Sequence, residues 1–111
     1  MVTRSLARST NSFGAIADPT RRAILDSLRG GECSAGDLAN QFPVSRPAVS
    51  RHVRILKRAG LIQERRHRRS RYYSLDGRAL AQVDQWLAPY RLFWGARLQD
   101  ILLGQAGGEG Q

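Results

Sequence analysis

The sequence predicts a single, mainly α-helical domain with one small β-hairpin. The chain has 111 residues, a length that fits one domain with one hydrophobic core. Apolar residues recur at alternating spacings of three and four along its last third, and only two short segments are strand-like. We expect a flexible arm over residues 1–10, the folded domain over residues 11–103 and a flexible tail over residues 104–111.

Three helices are predicted in the first part of the chain. A short helix spans about residues 11–17, and a second begins at Asp18-Pro19, because aspartate accepts hydrogen bonds from free helix N–H groups and proline fits the first helical position. Gly30-Gly31 ends the second helix. Ser34 and Asp37 then form a capping box that starts the third.

A fourth helix is predicted immediately after the third. Ser45 caps its start, and Gly60 supplies the left-handed residue that stops it after Ala59. The turn between the third and fourth helices has only about four residues, and the fourth helix is basic. Two capped helices joined in this way are typical of a helix-turn-helix.

A β-hairpin follows the helix-turn-helix. The segments Leu61–Arg66 and Arg71–Leu75 are strand-like and enclose a polar, basic tip, so the hairpin forms a wing. Strand alternation places Tyr73 on the core face and points Tyr72 outward. The predicted architecture is therefore a winged helix-turn-helix with a final helix after the wing.

The last helix is predicted to run from a cap at Asp76 to about Leu103 and to bend at Pro89. A domain of this size cannot easily cover so long a helix. We therefore expect its apolar stripe to pair with that of a second copy in a two-fold homodimer, aided by the first helix. The interface residues expected are Phe13, Ile16, Leu80, Val83, Leu87, Tyr90, Trp94, Leu98 and Ile101.

The net charge of +9 lies in one contiguous quarter of the chain. Residues 46–71 hold ten basic side chains against a single acid, Glu64, whereas the segments on either side are nearly neutral. A GC-rich genome would explain why seventeen of the eighteen basic residues are arginine, but not why they cluster. A concentrated basic segment is typical of phosphate binding, so double-stranded DNA is the predicted partner.

The fourth helix divides into an apolar and a basic face. At about 100° per residue, Val49, Val53 and Leu56 share one stripe and should pack inward. The opposite face fits the DNA major groove, where arginine bonds guanine bidentately, and Arg51 and Arg54 are equal candidates for reading bases. The alternative is a solvated basic face. The DNA contacts predicted here are Ser45, Arg46, Pro47, Ser50, Arg51, His52, Arg54 and Arg58.

The wing carries further predicted DNA contacts. Arginines crowd its tip, which suits phosphate contacts and insertion into the minor groove. Alternatively, they only keep an edge hairpin soluble. The contacts expected are Arg66, Arg68, Arg69, Arg71 and Tyr72.

No catalytic or metal centre is predicted. The sequence lacks a nucleophile beside a base, a phosphate-binding glycine loop and a metal-ligand cluster, so we expect no enzyme, no metal and no cofactor. Cys33, the only cysteine, is interpreted as a plain thiol, with an oxidation or inter-subunit role as the alternative. The chain has neither a membrane-length apolar run nor a secretory signal, so a cytoplasmic, nucleoid-associated bacterial protein is expected.

Three segments together resemble the ArsR/SmtB family of bacterial winged-helix repressors, and most of all its SdpR-like branch. They read FGAIADPTRRAILDSLRGG, SAGDLANQFPVSRPAVSRHVRILKRAGLI and RYYSLD. The resemblance covers about residues 11–103 and implies a homodimer formed by the first and last helices. It also implies an inverted-repeat promoter site, a recognition helix at Pro47–Arg58 and a wing that contacts DNA.

The metal sites of this family have no counterpart in the sequence. Arsenic- and cadmium-sensing members carry a C-x-C pair in the third helix, but Ser34 and Gly36 stand at those positions, and Cys33 is one residue away. Zinc-sensing members use Asp and His pairs on the last helix, whereas His52 and His67 both lie in the basic segment. The resemblance therefore implies a metal-independent repressor, with autorepression as one form of it.

Two other interpretations stay open. The chain could be an architectural protein that coats DNA with little sequence preference, which the affinity ratio between its own promoter and random duplex would reveal. It could also be a repressor that senses a small molecule or the state of its thiol, which a panel of metals, oxidants and metabolites would reveal.

Overall fold

The structure is a computed structural model that describes the backbone of residues 11–110 and the side chains as far as residue 104. The arm predicted over residues 1–10 lies outside this range. In chain order the elements are helix α1 (residues 11–16), helix α2 (Pro19–Ser27), strand β1 (Cys33–Ser34), helix α3 (Ala35–Asn40), helix α4 (Arg46–Arg58), strand β2 (Ile62–His67), strand β3 (Ser70–Leu75) and helix α5 (Gly77–Gly110). This order confirms the predicted winged helix-turn-helix.

The predicted helix starts are confirmed by their capping contacts. The side chains of Asp18, Ser34 and Ser45 each accept a hydrogen bond from the backbone N–H three residues further on, at 3.0, 3.1 and 3.2 Å. At the other end of α4, Gly60 has a φ of +77°, a left-handed conformation that glycine adopts without steric cost. These local contacts fix the limits of the helix-turn-helix.

The hairpin belongs to a three-stranded antiparallel sheet of order β1-β3-β2. The two-residue strand β1 pairs Cys33 with Tyr73 and so joins the wing to the start of α3. Only the two strands of the hairpin were predicted from the sequence. Strand β1 was not predicted, because a strand of two residues is too short to show alternation. Arg68 and Arg69 form the turn between β2 and β3, and Arg68 has a φ of +58°.

One hydrophobic core joins α2, α3, α4 and the sheet. Its fully buried side chains are Ile24, Leu28, Leu38, Leu56 and Leu61. The predicted inward face of α4 is confirmed, since Val49, Val53 and Leu56 are all buried. The predicted strand alternation is confirmed as well, because Tyr73 is buried and Tyr72 is only half-buried.

Helix α5 is longer than predicted. It passes through Pro89 and continues to Gly110, so the helix end expected at Leu103, with a tail over residues 104–111, is placed too early. The tail was predicted because four of residues 104–111 are glycine, which is a poor helix former. None of the helices within residues 11–110 is long and apolar enough to cross a membrane.

Candidate nucleic-acid interface

Helix α4 presents a basic face to solvent. Within the described part of the chain, Arg51, Arg54 and Arg58 form no ion pair, so their guanidinium groups are free to meet phosphates or base edges. Arg46 differs from them, because its Nη2 donates to Asn40 Oδ1 at 3.5 Å and joins α4 to α3. Of the residues predicted on this helix, those exposed are Ser45, Arg46, Pro47, Ser50, Arg51, Arg54 and Arg58.

His52 was also predicted among the DNA contacts, but its ring turns toward α2. The structure places His52 Nδ1 3.2 Å from Arg21 Nη1 and 3.9 Å from Asp18 Oδ2. One residue beyond Arg51 is about 100° further around the helix, and that rotation moves the side chain from the exposed face to the flank. The hydrogen bond from the Arg21 N–H, with the charges of Arg21 and His52, lowers the pKa of the Asp18 carboxyl.

Two arginines of α2 close the end of α1. The side chains of Arg21 and Arg22 donate four hydrogen bonds, of 2.7 to 3.2 Å, to the backbone carbonyls of residues 14–17. These carbonyls lie at the C-terminal end of α1, where carbonyl groups lack the N–H partners of a continuing helix, although Gly14 O also accepts a hydrogen bond from the Ala17 N–H at 3.2 Å. Because Arg21 also contacts His52, one guanidinium connects α1 with α4. The DPTRR motif predicted the helix cap at Asp18 but not this contact.

The outer face of the wing is attached to the body of the domain. Arg65 lies opposite Tyr72 in the strand register and covers its ring at 4.8 Å from the centroid. The same guanidinium bonds both carboxylate oxygens of Glu32, at 2.7 and 2.9 Å. The hydrogen bond from Arg65 lowers the pKa of Glu32. The predicted DNA contact Tyr72 is therefore partly covered, and Arg65 has a partner within the protein.

The inner face of the wing is attached to α4 through Glu64. One carboxylate oxygen lies 3.4 Å from Lys57 Nζ, and the other lies 3.4 Å from Arg66 Nε. Burial opposes ionisation of Glu64, but hydrogen bonds and charge from Arg66 and Lys57 outweigh it and lower the pKa of the carboxyl. Arg66, a predicted DNA contact, is thus paired within the protein.

The tip of the wing carries unpaired arginines. Arg68, Arg69 and Arg71 are exposed and form no ion pair with any residue that the structure describes. The exposed arginines of α4 and of the tip together form what we call the basic surface. It consists of Arg51, Arg54, Arg58, Arg68, Arg69 and Arg71.

The residues predicted at the dimer interface lie along one side of the molecule. Near the body, the Phe13 ring meets the Trp86 ring edge-on at 5.2 Å, and Trp86 meets Tyr90 at 5.0 Å. Those half-buried are Phe13, Ile16, Leu80, Val83 and Leu87, and those exposed are Tyr90, Trp94, Leu98 and Ile101. Helix α5 is apolar on more than one face, because five large apolar side chains outside the predicted interface are exposed too: Trp86, Leu92, Phe93, Leu102 and Leu103.

Known proteins share this arrangement. The model of a helix-turn-helix domain family matches residues 16–65. The chain is 47% identical over 77 residues to the transcriptional repressor SdpR of Bacillus subtilis. The matched residues make up 69% of this chain and 86% of that protein. It is similar in structure to an ArsR-like transcriptional regulator from Rhodococcus sp. RHA1, with 32% identity, a TM-score of 0.69 and coverage of 87% and 92% of the two chains.

A third likeness is to a homodimeric winged helix-turn-helix DNA-binding domain from Mycobacterium bovis. It has 25% identity and a TM-score of 0.67, and it covers 79% of this chain and 82% of that one. The family resemblance inferred from the sequence motifs is thereby confirmed. The chain belongs to the ArsR/SmtB family of winged helix-turn-helix transcriptional regulators.

Proposed function

We propose that the chain is a sequence-specific DNA-binding repressor that acts as a homodimer on an inverted-repeat promoter site. The observation that carries this proposal is the basic surface, because it combines an exposed helix with an adjacent wing and holds six exposed arginines that form no ion pair with the residues described by the structure. The family consists of DNA-binding regulators rather than enzymes, and the similar SdpR is a transcriptional repressor.

In this proposal α4 and the wing have different roles. Helix α4 enters the major groove, where Arg51 and Arg54 reach base edges. Arg68 and Arg69 at the wing tip contact phosphates of the same duplex. Repression is steric, because a dimer bound over the promoter keeps RNA polymerase from that DNA. The chain's own promoter is the first site to test, since autorepression is one form of the proposal.

The homodimer is supported by the uncovered side of α5. Tyr90, Trp94, Leu98 and Ile101 are 42 to 54% exposed, an unfavourable state for such large apolar side chains. The similar domain from Mycobacterium bovis is homodimeric. A two-fold dimer would present two copies of α4 to half-sites about one helical turn apart, which explains why an inverted repeat is proposed.

Metal independence is supported by the chemistry of the available donors. Cys33 stands alone, and burial, followed by the charge of Asp37, raises the pKa of its thiol, which disfavours the thiolate that binds metals. Its Sγ accepts a hydrogen bond from the Gln41 amide. His52 is already held against Arg21. Among the described residues, no three His, Cys, Asp or Glu side chains are grouped so that they could hold a metal ion.

Fluorescence anisotropy tests the proposal. The protein is titrated against duplex DNA from upstream of its own coding region and against a shuffled duplex, at about 0.15 M salt. The upstream duplex is expected to bind roughly 10³-fold more tightly, with two chains per site. Equal, steeply salt-dependent binding to both, repeated with fragments selected from the genome, would indicate an architectural protein instead. Release from DNA by a metal, an oxidant or a metabolite would indicate a sensor.

A further inference from the structure

We propose that Glu64 determines sequence specificity by holding the wing at a fixed orientation to α4. The inference rests on the proposed function, because it concerns how the same basic surface separates one DNA sequence from another. Glu64 is a positioning residue in this proposal and does not itself touch DNA.

The geometry places Glu64 at the junction of the two DNA-contacting elements. Its partner across the sheet is the buried Tyr73, so the carboxylate lies on the side of β2 that faces the domain. The side chain is only 14% exposed, and its two oxygens reach Lys57 on α4 and Arg66 on the wing at 3.4 Å each. Lys57 lies three residues from Arg54, one turn along α4. The link therefore ends next to a candidate base-reading side chain.

The charge pattern points the same way. The segment 46–71 contains ten basic residues and one acid, Glu64, which pairs with two of the basic residues. The charge of Glu64 partly neutralises Lys57 and Arg66, which reduces the electrostatic attraction to any DNA sequence. The six arginines of the basic surface have no acidic partner among the side chains that the structure describes.

A fixed wing favours specific binding more than non-specific binding. Base reading requires α4 to lie in one register in the groove while the wing contacts particular phosphates of the same duplex. A wing that is already held in place loses less conformational entropy when this specific complex forms. Non-specific binding depends on charge and tolerates many orientations. Loss of the link should therefore lower the ratio of the two affinities, whatever it does to their absolute values.

Two variants of opposite charge separate this role from a simple charge effect. Glu64→Gln raises the net charge by one and Lys57→Gln lowers it by one, but each breaks the link between the wing and α4. Matched controls are Glu32→Gln and Arg65→Gln. They make the same charge changes in a pair that joins β2 to the loop before β1, so the link between the wing and α4 is kept. Each protein is titrated by anisotropy against the upstream and shuffled duplexes at several salt concentrations.

We expect both Glu64→Gln and Lys57→Gln to lower the specificity ratio by about fivefold or more. Glu64→Gln should also tighten binding to the shuffled duplex and steepen its salt dependence by about one unit, whereas Lys57→Gln should weaken that binding. The two controls should shift both duplexes alike and leave the ratio within about twofold. Thermal unfolding checks that each variant is folded. If Glu64→Gln does not fold, Lys57→Gln still tests the proposal, because Lys57 is half-exposed and its substitution should be tolerated.

A ratio that stays constant in both variants, or that follows net charge, overturns the role of Glu64. Equal binding of the wild-type protein to both duplexes and to genome-selected fragments is a different result. It would contradict the proposed function itself, so the two failures are distinguishable.

Discussion

Individual arginines of the basic surface differ in role because they sit on different supports. Arg54 projects from the middle of a capped helix whose opposite face is buried, so the position of its backbone is fixed by the core. Arg68 sits in a two-residue turn at the tip of a hairpin, where the chain is attached only through the strands. An arginine on a firmly packed helix suits base reading, and an arginine at a hairpin tip suits the less directional contact with phosphate.

Arg54→Ala should weaken binding to the specific duplex by about 1–3 kcal/mol and relax discrimination at one base position. The reason is the loss of a bidentate contact to a base edge. Anisotropy against the upstream duplex and a set of single-base variants measures both effects, with Arg51→Ala run alongside to rank the two candidates. Uniform weakening across all sequences would instead assign Arg54 to phosphate.

Arg68→Asn should weaken binding to all duplexes alike and make the salt dependence shallower by about one unit, because one phosphate contact is lost. Asparagine is chosen over alanine because it tolerates the left-handed conformation found at Arg68, so the turn is kept while the charge is removed. Selective loss of the specific duplex would show that this arginine reads sequence.

Elements were predicted well where their signals are local. The starts of α2, α3 and α4 followed from Asp18, Ser34 and Ser45, since a capping side chain needs only the backbone three residues away. Strand β1 was missed because its pairing partner lies about forty residues further along the chain, at Tyr73. The orientation of His52 was missed for a similar reason, since it depends on a contact with α2.

The start of α5 gives a pH prediction. Asp76 accepts hydrogen bonds from the Arg78 N–H and from its guanidinium, and these contacts lower the pKa of the carboxyl to about 2 from its ordinary 3.8. A pKa that is lower in the folded state means that the ionised group stabilises the fold above about pH 4, and that this stabilisation is lost as the pH falls toward 2.

Asp76→Asn should therefore lower the Tm at neutral pH, and the difference from the wild type should shrink between about pH 4 and pH 2. Asparagine can still cap the helix, so the comparison isolates the charge. Calorimetry or circular dichroism across that pH range measures it. A difference that does not change with pH would assign the effect of the substitution to the cap rather than to the ion pair.

At the scale of the whole molecule, α5 is too apolar to be covered by its own domain. Its sequence periodicity selected a single stripe, because a repeat of three and four residues identifies one face. The structure shows that the neighbouring positions are apolar and exposed too, including Leu92 at 80%. The exposure of these side chains cannot be predicted from periodicity, because periodicity describes the order of residues in one helix. It does not show how much of that helix the rest of the domain covers.

Leu98→Arg should convert the proposed dimer to a monomer at micromolar concentration and abolish tight binding to the two-half-site duplex, because a buried unpaired charge destabilises an interface. Leu92→Arg is the matched control, since Leu92 is more exposed but lies off the predicted stripe. Sedimentation velocity and anisotropy measure the two effects. A wild-type protein that sediments as a stable monomer would contradict the dimer altogether.

The contact of Arg21 with both α1 and His52 has a consequence for cooperativity. Helix α1 carries two of the predicted interface residues, and His52 lies on the helix proposed to enter the groove. In the proposed dimer, one guanidinium therefore contacts both the interface helix and the DNA-binding helix. Thermodynamic linkage then requires that subunit association and DNA binding affect each other by the same factor. An operator with two half-sites binds both subunits at once, so it should tighten their association. An effector that displaces α1 would disturb the Arg21–His52 contact directly and so change the affinity for DNA without a separate signal-transmitting element.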